Sequence, residues 1–390
     1  MRRPVYVLVG AGTALIACCY GFGRFSYGLF GPVFGETFGL SSTIAGVIGA
    51  GSYIGYCAAI TASLLLTDRV GPRRVAVAAG VVATLGISII ALAPSAWALA
   101  VGVLIAGCST GIVSPPLAAA VAQNVPPATA DRAQTVVNGG TGIGVVLSAP
   151  IALLLLSHWR AAWVVYAAVS AAVTVWVLLA VPANSRRAAK RVDPFWRPGT
   201  FGLLLASLLT GVGSVAVWTF GRGLITTVGG ADATRSSLLW IVIGAAGIAG
   251  AFAGDAVQRI GLRRAWVAAT VTMAVATASL AAAPANLVVM IVAATLFGGA
   301  YIALTGLALL WSARLYPDST SSGVGLSFFT IAAGQALGAP IAGALIDMVG
   351  GRTAFVSIAA VGLCALAVRP VETTPAARNT APWGECSLEK

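Results

Sequence analysis

The sequence predicts an all-α membrane protein, with twelve transmembrane helices in two pseudo-symmetric six-helix bundles. Three observations lead there. Hydrophobic residues make up 58% of the 390 and charged residues only 9%, against about 25% charge in an ordinary soluble domain. A soluble chain of this composition would have to leave much of that apolar surface in water. The chain also repeats itself. Asp68-Arg69-Val70-Gly71-Pro72-Arg73-Arg74 is echoed 190 residues later by Gln258-Arg259-Ile260-Gly261-Leu262-Arg263-Arg264. The same offset lays Pro94 on Pro284, Pro127 on Pro317, Gly144 on Gly334 and Ala149-Pro150 on Ala339-Pro340. So many coincidences in one register mean an internal duplication. Finally, the apolar runs have the roughly 20-residue length that crosses a bilayer as a helix.

Those runs place the helices at 5–31, 43–66, 75–93, 96–121, 133–156 and 160–181 in the first half. The second half repeats them at 199–226, 236–257, 265–283, 285–311, 321–346 and 353–369. The runs are too long and too evenly apolar for the alternating strands of a membrane barrel, and a spanning chain must satisfy its backbone internally. The opening run after Met1-Arg2-Arg3 extends for about 25 residues, the length of a span rather than of a secretory leader, and is read as the first helix, retained. Residues 1–181 form the first bundle, 182–198 a basic linker, 199–370 the second bundle, and 371–390 a Pro- and Thr-rich tail expected to be disordered.

Basic residues set the topology. With the N-terminus in the cytoplasm, 18 of the 23 Lys and Arg fall in cytoplasmic segments, among them Arg186, Arg187, Lys190 and Arg191 of the linker. Only Arg160, Arg235 and Arg352 fall outside, and Arg24 and Arg222 lie within helices. This is a strong positive-inside bias, and it places both termini in the cytoplasm of a multi-pass plasma (inner) membrane protein. The net charge of +12 is spread over short clusters between apolar runs, which argues against a nucleic-acid surface. The six cysteines show no spacing of a metal site or disulfide framework. The run Gly139-Gly140-Thr141-Gly142-Ile143-Gly144 has no preceding strand and does not read as a phosphate loop. Its glycines, like Gly51/Gly55, Gly250/Gly254 and Gly334/Gly338, have the four-residue spacing that lets helices approach closely in lipid.

The turn at Asp68, Arg69, Gly71, Arg73 and Arg74 resembles the signature loop of the major facilitator superfamily, with Leu64 in place of its leading glycine and Pro72 after Gly71. In the second copy Gly254, Arg259, Gly261 and Arg263 match, and Gln258 replaces the acid. Trp159-Arg160-Ala161-Ala162-Trp163 and Gly351-Arg352-Thr353-Ala354-Phe355 open the sixth and twelfth helices in similar fashion, and Gly21-Phe22-Gly23-Arg24-Phe25-Ser26-Tyr27-Gly28 resembles the YbfB/YjiJ-type branch. Two departures stand beside this. Val103 occupies the region of the fourth helix where many proton-driven members carry a buried Arg, and Ala149-Pro150 replaces the Gly-Pro of drug antiporters. The resemblance implies a secondary transporter whose gating loop (Asp68, Arg69, Gly71, Arg73, Arg74, Gln258, Arg259, Gly261, Arg263) latches one face of the two bundles. The residues by themselves are equally those of a solvated basic turn.

Arg24 is the most informative single residue. An Arg deep in a spanning helix costs about 2.5–3.5 kcal/mol on insertion scales and should face the protein interior or water. Tyr20, Arg24 and Tyr27 share a helix face by their spacing, and Ser214, Trp218 and Arg222 share one on the matching seventh helix. No Asp or Glu falls at mid-depth in any span. A substrate anion could supply the missing partner, or carbonyls and water could satisfy Arg24 without one. Tyr53, Tyr56, Asn138, Tyr301 and Gln335 complete the polar candidates for a cavity.

These residues predict a secondary active transporter of a small organic solute, with a bias toward anions, working by alternating access between the bundles. A proton or another ion is the coupling species, the lipid bilayer the only other partner, and the monomer the functional unit. No cofactor, metal or nucleic acid is expected, and no nucleophile, metal set or acid pair at depth suggests an enzyme. The alternatives are a drug-efflux antiporter and a non-transporting membrane sensor.

Overall fold

The computed structural model describes residues 5–183, 196–249, 253–316, 320–368 and 370, without the side chains of 68, 131, 156, 249, 253–256 and 320–322. Most of the linker and the tail 371–390 lie outside the described residues. Among the described residues twelve helical spans follow one another and there is no strand. They are α1 (Val5–Phe38), α2 (Ser42–Val70), α3 (Pro72–Ala91), α4 (Ala96–Asn124), α5 (Pro127–Leu154) and α6 (Trp159–Ala180). The second set is α7 (Thr200–Val228), α8 (described as Ala233–Ala249 and Ala253–Ile260), α9 (Leu262–Ala282), α10 (Leu287–Leu315), α11 (Thr320–Val349) and α12 (Gly351–Ala367). Ten are long and apolar enough to cross a membrane, and the segments 233–248 and 351–367 are shorter apolar helices.

Local chemistry sets the ends. Ser41, Ser95 and Asn286 cap α2, α4 and α10 by accepting from Ile44 N at 3.3 Å, Ala98 N at 3.4 Å and Val288 N at 3.0 Å. Pro72 and Pro127 begin α3 and α5 at the first turn, where a missing N–H costs nothing. The first helix outruns the sequence expectation of residue 31. Pro32 is carried inside it, and the helix stops only at Gly39, whose φ of 63° is left-handed.

The duplication is visible in three dimensions. Gly71 (φ 90°) and Gly261 (φ 81°) turn the chain between α2 and α3 and between α8 and α9. Their amides donate to Thr67 and Val257, again 190 apart, at 3.1 and 3.0 Å. Packing repeats as well. α2 runs along α4 as α8 runs along α10; α1 lies against α5 as α7 lies against α11; α3 meets α4 and α6 as α9 meets α10 and α12.

Between the two bundles α2 lies on α11 and α5 on α8. α1 crosses α7 where a Cβ on Gly28 would sit 1.9 Å from the Trp218 carbonyl oxygen. Gly28 and Trp218 are the same position of the repeat, so the crossing lies on the pseudo-twofold axis. Lipid tails are as apolar as the helices, so such close backbone contact, not hydrophobic exclusion, holds spans together.

The basic turns at 69–74 and 259–264 mark one end of the bundle. At the opposite end Asp347, near the end of α11, reaches the start of α2 in the other half. Its carboxylate accepts from Ser42 N at 3.0 Å, Thr43 N at 2.8 Å and Thr43 Oγ1 at 2.7 Å.

Candidate substrate site between the two bundles

Residues 17–25 of α1 are wound wider than an α-helix, with i→i+5 bonding that closes at Ser26 N to the Gly21 carbonyl. Such turns are rare and concentrate at functional positions. Arg24 sits in this stretch, 7% exposed. Its Nη2 donates to Gln335 Oε1 at 2.6 Å. Its guanidinium carbon lies 4.7 Å from the Tyr53 ring centroid, 5.1 Å from Tyr56, 5.5 Å from Phe25 and 5.8 Å from Tyr20. Gln335 is fully buried, and its Nε2 donates to Ser214 Oγ at 3.2 Å and Tyr301 Oη at 3.3 Å. Trp218 stacks on Phe25 at 4.0 Å and meets Tyr301 edge-on at 5.3 Å.

Glycine crossings bring these side chains together. A Cβ on Gly21 would lie 2.4 Å from Gly144 Cα, and one on Gly211 would lie 3.0 Å from Gly334 Cα. The two contacts are a single crossing repeated at the 190 offset. Gln335 follows Gly334, and Ser214 stands one turn beyond Gly211, so backbone contact there leaves the two side chains within bonding reach. Arg24 and Ser214 are also register mates. One carboxamide on α11 therefore bonds the same repeat position in both halves.

Magnitudes explain why the charge is tolerated and what it still lacks. A hydrogen bond to a charged group contributes about 1.5–3 kcal/mol, and a desolvated cation–π contact about 2 kcal/mol. Together these are comparable with the insertion penalty of about 2.5–3.5 kcal/mol. They do not neutralise the charge. Among the described residues no carboxylate pairs with Arg24, and its buried Nε has no hydrogen-bond partner.

Of the sequence candidates, Tyr20, Arg24, Tyr53, Tyr56, Ser214, Trp218, Tyr301 and Gln335 converge here. Tyr27 does not: the wide turn breaks the helical phase that would align it with Arg24, and its hydroxyl donates to the Ala45 carbonyl at 2.7 Å. Asn138 is exposed on α5 and accepts from Gln134 Nε2 at 3.1 Å. Arg222 is buried away from the cluster, where Nε donates to Ser236 Oγ at 3.0 Å and Nη1 to the Leu29 carbonyl, strapping α7 to α1 and α8. In the gating loop Arg69, Arg74, Gln258, Arg259 and Arg263 are exposed and Arg73 is half-buried, while the Asp68 side chain lies outside the described residues. Two residues of the cluster escape sequence reading. Phe25 is one apolar residue among many in its helix, and Ser114, 3.4 Å from the Tyr20 hydroxyl, is one small polar residue in an apolar run. Among the described residues no group of His, Cys, Asp or Glu could hold a metal.

Residues 16–369 match a family described as "Uncharacterised MFS-type transporter YbfB". The chain is 29% identical over 361 residues to the "Transcription regulatory protein OpdE" of Pseudomonas aeruginosa, covering 88% of this chain and 87% of that one. It is 25% identical over 320 residues to the "Purine ribonucleoside efflux pump NepI" of Escherichia coli O157:H7, covering 80% and 76%. The fold is similar to that of the nucleoside transporter NupG, with a TM-score of 0.78 over 93% of this chain and 98% of that one at 13% identity. It is also similar to a bacterial homologue of the human lysosomal transporter Spinster in an inward-facing and occupied conformation, with a TM-score of 0.75 over 93% and 95% at 14% identity.

Proposed function

The chain belongs to the major facilitator superfamily, in the YbfB-type family, and from that premise we propose that it is a secondary active transporter of a small organic anion. The observation that carries the anionic reading is Arg24, a cation buried between the bundles with no carboxylate beside it among the described residues and one N–H unmet. A buried charge in that condition gains most from an oppositely charged group brought in from outside. The surrounding Tyr20, Phe25, Tyr53 and Tyr56 rings suit a solute with a flat apolar body.

The two halves, 1–181 and 199–370, rock about the α1–α7 crossing as one monomer, joined by the linker 182–198. A site on the pseudo-twofold axis then opens to each side in turn. The basic loops orient both termini and the tail 371–390 toward the cytoplasm of the plasma membrane. A proton or another ion supplies the gradient. The loop at Asp68, with Arg69, Arg73 and Arg74, holds the cytoplasmic face closed in one state.

The pump NepI and the transporter NupG favour a second reading, a nucleoside whose base stacks on the tyrosines. A neutral nucleoside would leave the Arg24 charge unmet. The name of OpdE gives the sensor alternative some weight. One experiment separates the three: a thermal-shift screen of monocarboxylates, nucleosides and lipophilic cations on purified protein, followed by counterflow in proteoliposomes. Carboxylates should raise Tm in wild type and not in Arg24→Ala, and should exchange across the liposome. Stabilisation by nucleosides or cations that persists in Arg24→Ala would overturn the anionic reading. Binding without any exchange would favour the sensor.

A further inference from the structure

Gln335 contacts Arg24 with one oxygen where two could be held. Nε and Nη2 lie on the same edge of a guanidinium, set to grip both oxygens of a carboxylate side-on. Here Nη2 is taken by Gln335 Oε1 at 2.6 Å, and the neighbouring Nε is buried without a partner. A carboxamide has one acceptor oxygen, so it fills half of the edge. Its own Nε2 meanwhile holds Ser214 and Tyr301 in the second half.

We infer that Gln335 is an internal stand-in for the substrate's carboxylate: its oxygen takes the place on Arg24 that a substrate oxygen takes on binding, and binding proceeds by displacing it. This rests on the reading of Arg24 as an anion subsite and specifies the anion as planar and two-oxygened. The exchange is favourable because a carboxylate brings an opposite charge to a buried cation and a second, parallel hydrogen bond to the Nε that the carboxamide leaves unmet. The same cluster holds a buried donor without a partner, Trp218 Nε1, whose ring meets that of the Gln335 partner Tyr301 at 5.3 Å. Displacement also has a mechanical result. The Arg24–Gln335 bond joins α1 of one half to α11 of the other, so the substrate replaces a direct tie between the halves with one made through itself. Gln335 is thus a positioning residue whose bond to Arg24 competes with substrate.

The test uses the full chain in nanodiscs, benzoate as probe, and the variants Gln335→Met and Gln335→Glu. Removing a competitor raises the fraction of protein able to bind, so Gln335→Met should bind benzoate about ten-fold more tightly than wild type. Gln335→Asn, too short to reach Arg24, serves in its place if Gln335→Met does not fold. Gln335→Glu supplies both oxygens from within, so it should raise Tm and abolish benzoate binding. Weaker or unchanged binding in Gln335→Met overturns the inference, because Gln335 would then be a substrate ligand or a bystander. A lowered Tm in Gln335→Glu with binding retained overturns it as well. If neither wild type nor any variant binds benzoate, the anionic reading of the site fails and the inference falls with it, whereas benzoate binding that Gln335→Met does not tighten overturns the inference alone.

Discussion

The carboxylate of Asp347 and the first turn of α2 at Thr43 form a helix cap in trans, with one oxygen holding both the Thr43 amide at 2.8 Å and its hydroxyl at 2.7 Å. The cap spans the two halves. At the repeated position Asp232 caps α8 from within its own chain segment, accepting from Arg235 N at 2.7 Å. Among the described residues only the α2–α11 seam is therefore fastened across the interface by this means. Loss of a cap costs about 0.5–2 kcal/mol. Asp347→Ala should shift the closed-to-open balance at that end by roughly two- to thirty-fold. In a background without native cysteines, labelling of Thr219→Cys by an impermeant maleimide reads this, because Thr219 is buried beneath the seam beside Gly49. A labelling rate unchanged by Asp347→Ala would mean that the cap does not gate access.

Arg24 can be separated from a structural strut. Its contacts roughly balance its insertion cost, so Arg24→Ala should keep the ligand-free Tm within a few degrees of wild type and lose carboxylate binding. Arg24→Lys should recover only part of the affinity, because an ammonium lacks the planar two-point edge. Collapse of expression in Arg24→Ala, with binding intact in whatever folds, would instead make it a scaffold residue.

Gly71 and Gly261 have the same backbone conformation, with φ of 90° and 81° and ψ of 154° and 158°. That region is essentially closed to residues with a Cβ, at a cost of about 1–3 kcal/mol. Gly71→Ala and Gly261→Ala should each lower Tm by similar amounts. Unequal losses would show that one turn carries a role beyond chain reversal.

The latch reading gives an unequal pair in the same loops. Asp68→Asn should impair counterflow while expression and Tm hold, and Gln258→Ala, at the position already neutral and exposed, should have little effect. Equal loss in both, or in neither, would leave only a solvated turn.

The class of fold was legible because lipid leaves few choices: long apolar runs must be helices, and Arg and Lys mark the loops. The repeat at 190 was legible because Pro and Gly punctuate both halves alike. The site was legible only in part. Arg24, Gln335, Ser214 and the tyrosines stood out as polar groups in apolar runs, yet nothing in the linear pattern paired Arg24 with Gln335, whose meeting depends on helices 311 residues apart. The linear pattern groups Tyr27 with Arg24 at 3.6 residues per turn, and the wide turn at 17–25 departs from that period locally. Arg222 reads in sequence as a second cavity cation because apolar neighbours do not reveal that a carbonyl on another helix will hold it.

The crossing at Gly28 and Trp218 has a consequence for the ancestry of such a chain. A position on a twofold axis meets its own copy, so two identical halves would have to place the same residue on both sides. Two tryptophans would force the backbones apart at a point where even a Cβ would lie 1.9 Å from a carbonyl oxygen. Two glycines would remove the indole that lies over Phe25 at 4.0 Å. A symmetric pair of separate subunits can escape neither outcome, because one gene writes both sides. Joining the copies in a single reading frame lets one side become small and the other large, so at this position fusion itself makes the present fit attainable.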